Sequence, residues 1–134
     1  MSLSDKDRSA LVALYWQKSL ITFDELESAI ESRKWSMAAN RMYYSLFHAA
    51  TALLVHDGHE VASHRGLKGA LGLNYVQTGK LTNEEARIFA QLATLRERAD
   101  YDVIFAATET DIMKYMPRAK ALLAKMESFI YDQV

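Results

Sequence analysis

The most unusual side chains of this sequence stand between positions 40 and 48, where polar and aromatic residues are mixed. Arg41, Tyr44, Ser45 and His48 are spaced i, i+3, i+4 and i+7, so they fall on one side of a helix. A guanidinium binds anions, and an imidazole exchanges a proton near neutral pH. This side of the helix is therefore a candidate polar surface. The alternative is that the aromatic rings belong to the core and that His48 is an ordinary helix histidine.

A second candidate group lies at positions 96–102. Arg96 and Asp100 are four residues apart and can pair on one helix face, while Arg98 and Tyr101 are three apart and can stack or share a hydrogen bond. A charged helix end is usually a solvated face. This one follows the apolar residues up to Leu95 without a break, so the charges stand where the helix is still expected to pack.

A third candidate is the loop motif Ser63, His64 and Arg65, followed by a glycine. It places a hydroxyl, an imidazole and a guanidinium at a predicted helix start, where free backbone N–H groups favour anions. Helix capping alone also explains Ser63. The motif therefore predicts either an anion site or a simple helix cap.

Several chemistries are not expected from this sequence. It has no cysteine, which excludes disulfides and thiolate chemistry and favours a reducing cytoplasm. His56 and His59 are three apart, but no Glu-to-His helix pattern accompanies them, so we expect neither a metal site nor a cofactor. No glycine-rich phosphate loop, serine elbow, signal peptide or membrane span is recognisable. The net charge of −1 means that any contact with nucleic acid must be local.

Composition and periodicity predict an all-α fold. Good helix formers dominate, there is one proline, and the 134 residues suit a single domain spanning 1–134. The predicted helices are Ser4 to about Ser32, Trp35 to His56, His64 to Thr78, Thr82 to Tyr101 and Thr110 to Tyr131. Leu11, Leu14 and Leu26 belong to the apolar periodicity of the first helix, and Pro117 is expected to bend or split the last. The helices are expected to form one up-and-down bundle.

Four motifs, taken together, resemble the HEPN domain family in order and spacing. They are Asn40-Arg41-x-Tyr43-Tyr44-x-x-Phe47-His48-Ala49-Ala50, Ser63-His64-Arg65-Gly66, Thr78-Gly79-x-Leu81 and Arg96-x-x-Ala99-Asp100-Tyr101. The likeness is collinear and covers nearly the whole chain. It is strongest to the small stand-alone HEPN proteins of prokaryotes.

This resemblance implies a four- to five-helix up-and-down bundle that is commonly dimeric. It also implies a gene neighbour encoding a minimal nucleotidyltransferase, a toxin- or antitoxin-like role, and a nucleotide or RNA as ligand. Catalytic members of the family are metal-independent endoribonucleases in which four to six residues separate an arginine from the histidine that follows it. Here Tyr101, Asp102 and Val103 stand where that histidine would follow Arg96. Arg41 and His48 satisfy the spacing, but on a different helix.

Our leading hypothesis is a dimeric HEPN module, with little or no enzymatic activity, that partners a nucleotidyltransferase. It expects one polar cleft lined by Arg41, Tyr44, His48, Arg96, Asp100 and Tyr101, with Arg98 as a further ligand-binding residue. The rival hypothesis is a ribonuclease toxin that uses His48 or His64 as general acid or base and Arg96 or Arg98 to stabilise the phosphate. A third hypothesis is a purely structural helical dimer.

Overall fold

A computed structural model describes residues 3–59 and 64–131, with the side chains of His64 and Arg65 outside the described part. The described residues form five α-helices and one π-helical turn, with no strand among them. The helices are α1 (Asp5–Glu31), α2 (Trp35–His56), α3 (His64–Leu71), α4 (Asn83–Tyr101) and α5 (Glu109–Tyr131), with the π-turn Gly72–Val76 after α3. The predicted all-α helical bundle is therefore confirmed.

Helix α2 is the centre of the bundle, because α1, α3, α4 and α5 all pack against it. Its sequence suits this position, since alanines alternate with large aliphatic side chains around most of its circumference. Small residues let neighbouring helices approach closely, and the larger ones fill the space between them. Its fully buried apolar residues are Ala38, Ala39, Met42, Leu46, Ala49, Ala50, Ala52, Leu53 and Leu54.

Helix α1 packs along α2, to which a three-residue turn joins it. Ser4 caps its start by accepting a hydrogen bond from the backbone N–H of Asp7. Between the two helices, the buried hydroxyl of Ser19 donates to the backbone carbonyl of Ser45 over 2.7 Å. The buried hydroxyl of Ser19 is therefore hydrogen-bonded, as a stable packing requires.

The π-turn after α3 is tied back to the end of α2. The hydroxyl of Tyr75, which is almost fully buried, donates to a carboxylate oxygen of Asp57 over 2.5 Å. Burial, together with the hydrogen bond to this carboxylate, raises the pKa of Tyr75 above its usual value. The pair fixes the short third segment to the bundle.

Helix α5 runs without interruption from Glu109 to Tyr131, so the prediction that Pro117 splits it is wrong. Proline has no backbone N–H, so the carbonyl of Met113, four residues before Pro117, loses its helical donor. Both residues lie on the exposed face of the helix. That carbonyl is therefore on the side of the solvent, and the opposite face of α5 remains packed on α2. Within residues 3–59 and 64–131, no helix is both long enough and apolar enough to span a membrane.

Candidate functional site

Helices α2 and α4 pack together, and their contact encloses the side chain of Arg96, which is only 8% exposed. The centre of its guanidinium lies 5.3 Å from the ring centroid of Tyr43, 5.5 Å from that of Tyr44 and 6.0 Å from that of Tyr101. We call these four residues the arginine–tyrosine cluster. Aromatic faces stabilise a cation electrostatically, which explains how this charge is tolerated away from water.

The guanidinium of Arg96 keeps hydrogen-bonding capacity that the described residues do not use. Its Nε atom is buried and has no hydrogen-bond partner among the described residues. Carboxylate oxygens of Glu97 and Asp100 each lie 3.8 Å from a terminal nitrogen, which is beyond hydrogen-bond distance. A buried donor without a partner costs free energy, more so when it is charged. The part of this guanidinium that remains exposed is therefore a candidate anion-binding group.

Burial raises the pKa of Tyr43 to about 12, although the neighbouring cation of Arg96 acts in the opposite direction. The hydroxyl of Tyr43 therefore stays protonated near neutral pH. It can donate a hydrogen bond to a ligand, but it cannot serve as a base there. The cluster thus places a cation beside a Tyr43 hydroxyl that stays protonated.

A chain of polar contacts leads from α1 to the cluster. Arg41 donates from Nη1 to Glu25 Oε1 over 3.0 Å, and from Nε and Nη2 to Asn40 Oδ1 over 3.0 and 2.7 Å. Asn40 in turn donates from Nδ2 to Asp100 Oδ2 over 3.0 Å. Asn40 and Arg41 therefore fix the carboxylate of Asp100, so that it neutralises part of the charge of Arg96 without bonding to it.

A shallow cavity of about 640 Å³ opens beside the cluster, and we call it the α4 cleft. Of the predicted site residues, Tyr44, Arg96, Arg98 and Tyr101 line it. The guanidinium of Arg98 stacks on the ring of Phe105 at 4.2 Å, while the ring of Tyr101 is 75% exposed. The α4 cleft therefore brings together half of the eight side chains that the helix spacing singled out.

The other three residues expected on the polar side of α2 lie in three different places. Arg41 reaches the ring of Tyr44 at 5.8 Å but lines a separate groove between α1 and α2. The ring of His48 lies 6.1 Å from that of Tyr44, one helical turn beyond the cleft. Ser45 is fully buried against α1, so the expectation that it shares this polar surface is wrong, because it lies on the side of α2 that α1 covers.

The loop motif lies largely outside the described residues. Ser63 is outside them, and His64 and Arg65 begin α3 with side chains that are not described. Among the described residues, no group of three or more histidine, aspartate or glutamate side chains could hold a metal ion. His56 instead pairs through Nδ1 with Asp57 Oδ1 over 2.8 Å.

Sequence reasoning missed three contributors to the site, namely Glu25, Asn40 and Tyr43. Tyr43 was assigned to the core, where it does lie, but its ring also faces Arg96. Asn40 directly precedes Arg41, and a polar pair on an otherwise apolar helix was an available signal. Glu25 could not be found in this way, because only the packing of α1 on α2 brings it to Arg41.

Comparison with known proteins places this geometry in context. The sequence model of the HEPN domain family matches residues 12–129. A UPF0332 protein of Thermotoga maritima is 26% identical over 119 residues, which cover 88% of this chain and 90% of that protein. A UPF0332 protein of Pyrococcus horikoshii is 33% identical over 97 residues, 70% of this chain and 65% of its own length. A Methanocaldococcus jannaschii protein named "Putative toxin" is 34% identical over 71 residues, 53% of each chain.

Proposed function

This chain belongs to the HEPN domain family, and from that premise we propose that it is the HEPN member of a toxin–antitoxin-like pair. In this proposal it binds a phosphate of RNA or of a nucleotide at Arg96 and does not cleave the ligand. The toxin names of two relatives from Methanocaldococcus jannaschii support the first part of the proposal. The geometry around Arg96 supports the second.

The observation that carries the proposal is the unused hydrogen-bonding capacity of a buried guanidinium. Arg96 donates no hydrogen bond to the described residues from Nε, and its two neighbouring carboxylates stay 3.8 Å away. A phosphate oxygen can accept from two guanidinium nitrogens at once, which makes arginine the preferred side chain for this task. The adjoining α4 cleft gives such a ligand access to the cluster.

The lack of cleavage follows from the groups that surround Arg96. Acid–base cleavage of RNA needs a group that exchanges a proton near neutral pH. The rings on Arg96 belong to tyrosines, and burial holds the pKa of Tyr43 at about 12. In catalytic members, a histidine occupies one of three possible positions after the arginine. Here these positions hold Tyr101, Asp102 and Val103. A bound phosphate would therefore be held without a suitable base.

The partners of the protein form a separate part of the proposal. We propose a homodimer in the cytoplasm that associates with a minimal nucleotidyltransferase, as the family resemblance implies. The exposed side chains of Tyr101, Val103 and Ile104 at the end of α4 offer apolar surface for such contacts. Light scattering at micromolar concentration should report twice the chain mass. A monomer there would contradict the dimer but would leave binding at Arg96 open to its own test.

The test of function is RNA binding, measured by fluorescence anisotropy at several salt concentrations, with cleavage followed in EDTA. We expect weak, salt-sensitive binding and no cleavage. Arg96→Ala should weaken binding at least roughly ten-fold, because a charge-assisted bidentate contact is lost. Arg87→Ala is the matched control, since Arg87 is exposed on the same helix and lies outside the α4 cleft. Equal binding by wild type and Arg96→Ala would refute the proposed site.

The ribonuclease remains the second candidate, because the ring of His48 contacts Tyr44, which also faces Arg96. This candidate predicts cleavage in EDTA that either His48→Ala or His64→Ala abolishes. Circular dichroism must first show that each variant is folded. Loss of cleavage in one of these variants would overturn the non-catalytic proposal. The histidine that was replaced would then be the group that transfers the proton.

A further inference from the structure

Helix α1 carries a second apolar face, on the side opposite to the one that packs on α2. Its aliphatic side chains Leu14, Leu20 and Ile21 are each more than half exposed, and they lie within two turns of one another. The exposed Ala10 and Ala13 extend this surface towards the start of the helix. We call these five residues the α1 face. Contiguous apolar surface on the outside of a helix is typical of a contact with another helix.

Opposite charges stand at the two ends of the α1 face. Helical spacing places Lys6 on the same side of α1 near its start, and Asp24 and Glu31 on that side near its end. All three side chains are exposed, and none of them makes an ion pair or hydrogen bond with the described residues. Asp7 and Glu27 lie at the edges of this side, one at each end, so they leave the difference in charge between the ends unchanged.

The α1 face is complementary to a second copy of itself that runs in the opposite direction. Gln17 lies at its midpoint, so residues at equal distances before and after Gln17 come opposite one another across a two-fold axis. Leu14 then meets Leu20 of the second copy, and the small Ala13 meets the large Ile21. At the centre, each of the two Gln17 amides offers a donor and an acceptor to the other.

The charges at the ends favour this antiparallel arrangement over a parallel one. In the antiparallel pair, Lys6 of one copy comes opposite position 28 of the other, between Asp24 and Glu31, each about one helical turn away. The two-fold axis repeats this contact at the other end of the pair. A parallel pair would instead bring each charged residue beside the same residue of the second copy, and like charges repel.

We propose that a second copy of this chain docks on the α1 face, so that two α1 helices pair antiparallel across a two-fold axis. This inference rests on the proposed homodimer, to which it assigns an interface. The α1 face shares no residue with the α4 cleft, so both copies keep the cleft open to a ligand. The exposed end of α4 then remains available to the second protein of the pair.

Light scattering of wild type and single variants at the same micromolar concentration tests this interface. Leu20→Lys places an unpaired cation in the apolar contact and should reduce the mass from that of two chains to that of one. Leu73→Lys is the matched control, because Leu73 is also more than half exposed but lies on the π-turn, away from α1. Ile104→Lys tests the end of α4 in the same way, and both controls should stay dimeric. Because these side chains are exposed in a single copy, each variant should keep the circular dichroism and the stability to urea of dissociated wild type.

Charge reversal tests the direction of the pairing, with the dissociation constant measured by sedimentation equilibrium at low salt. Lys6→Glu should weaken the dimer about five-fold, because an anion then lies between two carboxylates of the other copy. A triple variant that adds Asp24→Lys and Glu31→Lys exchanges the charges of the two ends and should restore the wild-type value. A triple variant no tighter than Lys6→Glu would overturn the antiparallel arrangement.

The outcome for Leu20→Lys separates this inference from the proposed homodimer. If wild type is dimeric and Leu20→Lys stays dimeric, the α1 face is not the interface, and the proposed homodimer stands. If wild type is monomeric, both are overturned, and the α1 face is left to a different protein. Loss of the dimer in Leu20→Lys alone, with both controls dimeric, is the result that the pairing of the α1 helices requires.

Discussion

The two ends of α4 treat their charged groups in opposite ways. At the start of the helix, Thr82 accepts from the backbone N–H of Glu85, and Glu85 accepts from the backbone N–H of Thr82, at 3.1 and 2.9 Å. Lys125 of α5 donates to the same glutamate over 2.7 Å. Near the end of the helix, Arg96 is more deeply buried, yet its Nε has no hydrogen-bond partner among the described residues.

This difference agrees with the proposal that Glu85 has a structural role and Arg96 a binding role. The groups around Glu85 satisfy one another, so nothing more needs to bind there. Burial alone would raise the pKa of Glu85, but the hydrogen bonds from Lys125 and Thr82 outweigh it and hold the pKa below its usual value. At Arg96 the described residues compensate only part of the free-energy cost of burying the guanidinium. Among the described residues, the charged group at the start of α4 is fully hydrogen-bonded, whereas Arg96 near its end has ion pairs at 3.8 Å and an Nε without a hydrogen bond.

The largest expected effect on stability comes from the packed middle of α4, between these two ends. Leu92 is fully buried and does not line the α4 cleft. Leu92→Ala should lower the free energy of unfolding by about 3 kcal/mol, since it removes buried methyl groups and leaves a cavity. Urea denaturation measures the loss, and RNA affinity under native conditions should stay within about two-fold.

Leu14→Ala is the matched control for this change, because Leu14 is 68% exposed on α1. The same substitution there should cost no more than about 0.5 kcal/mol. A large loss of affinity in folded Leu92→Ala would contradict the division of α4 into an anchoring part and a binding part.

The sequence predicted the anchoring features of the fold well, because they depend on local rules. The predicted bounds of α2, Trp35 to His56, are confirmed, and α4 begins directly after Thr82, close to its predicted start. Leu14 shows the limit of periodicity: it fits the apolar spacing of α1 yet faces solvent, because Val12, Trp16 and Leu26 define the face that packs on α2. Spacing along one helix cannot say which of two apolar stripes a neighbour will cover.

The candidate site could be predicted only where its residues lie on one helix. Arg96, Asp100 and Tyr101 could be grouped because they lie within two turns of one helix. Their approach to Tyr44 was expected from the unusual polar groups on both helices, but the burial of Arg96 between two adjacent tyrosines depends on how α2 and α4 pack.

A smaller effect is expected at the paired end of α4. Glu85→Gln keeps a side chain that can complete the capping box but removes the ion pair with Lys125, which should cost about 0.5 kcal/mol at pH 7. Since the folded-state pKa of Glu85 is lowered, its contribution is present above the usual glutamate pKa of about 4.3 and disappears as the pH falls through the folded-state value. The difference between variant and wild type should therefore vanish in acid.

Thermal unfolding between pH 7 and pH 3 measures this difference. Glu84→Gln, in the same first turn and without an ion pair among the described residues, controls for the helix dipole. If both variants lose the same amount of stability, the ion pair with Lys125 contributes nothing beyond the effect of the helix dipole.

The most direct test of the account is the thermal unfolding of Arg96→Met with and without single-stranded RNA. Methionine is apolar and flexible enough to fill the space among the tyrosines, so it removes a buried charge whose donors are not satisfied. We expect Arg96→Met to unfold at the same temperature as wild type or at a higher one. RNA should raise the unfolding temperature of wild type but not that of the variant. A variant that unfolds several degrees lower and is still stabilised by RNA would show instead that Arg96 is a structural residue.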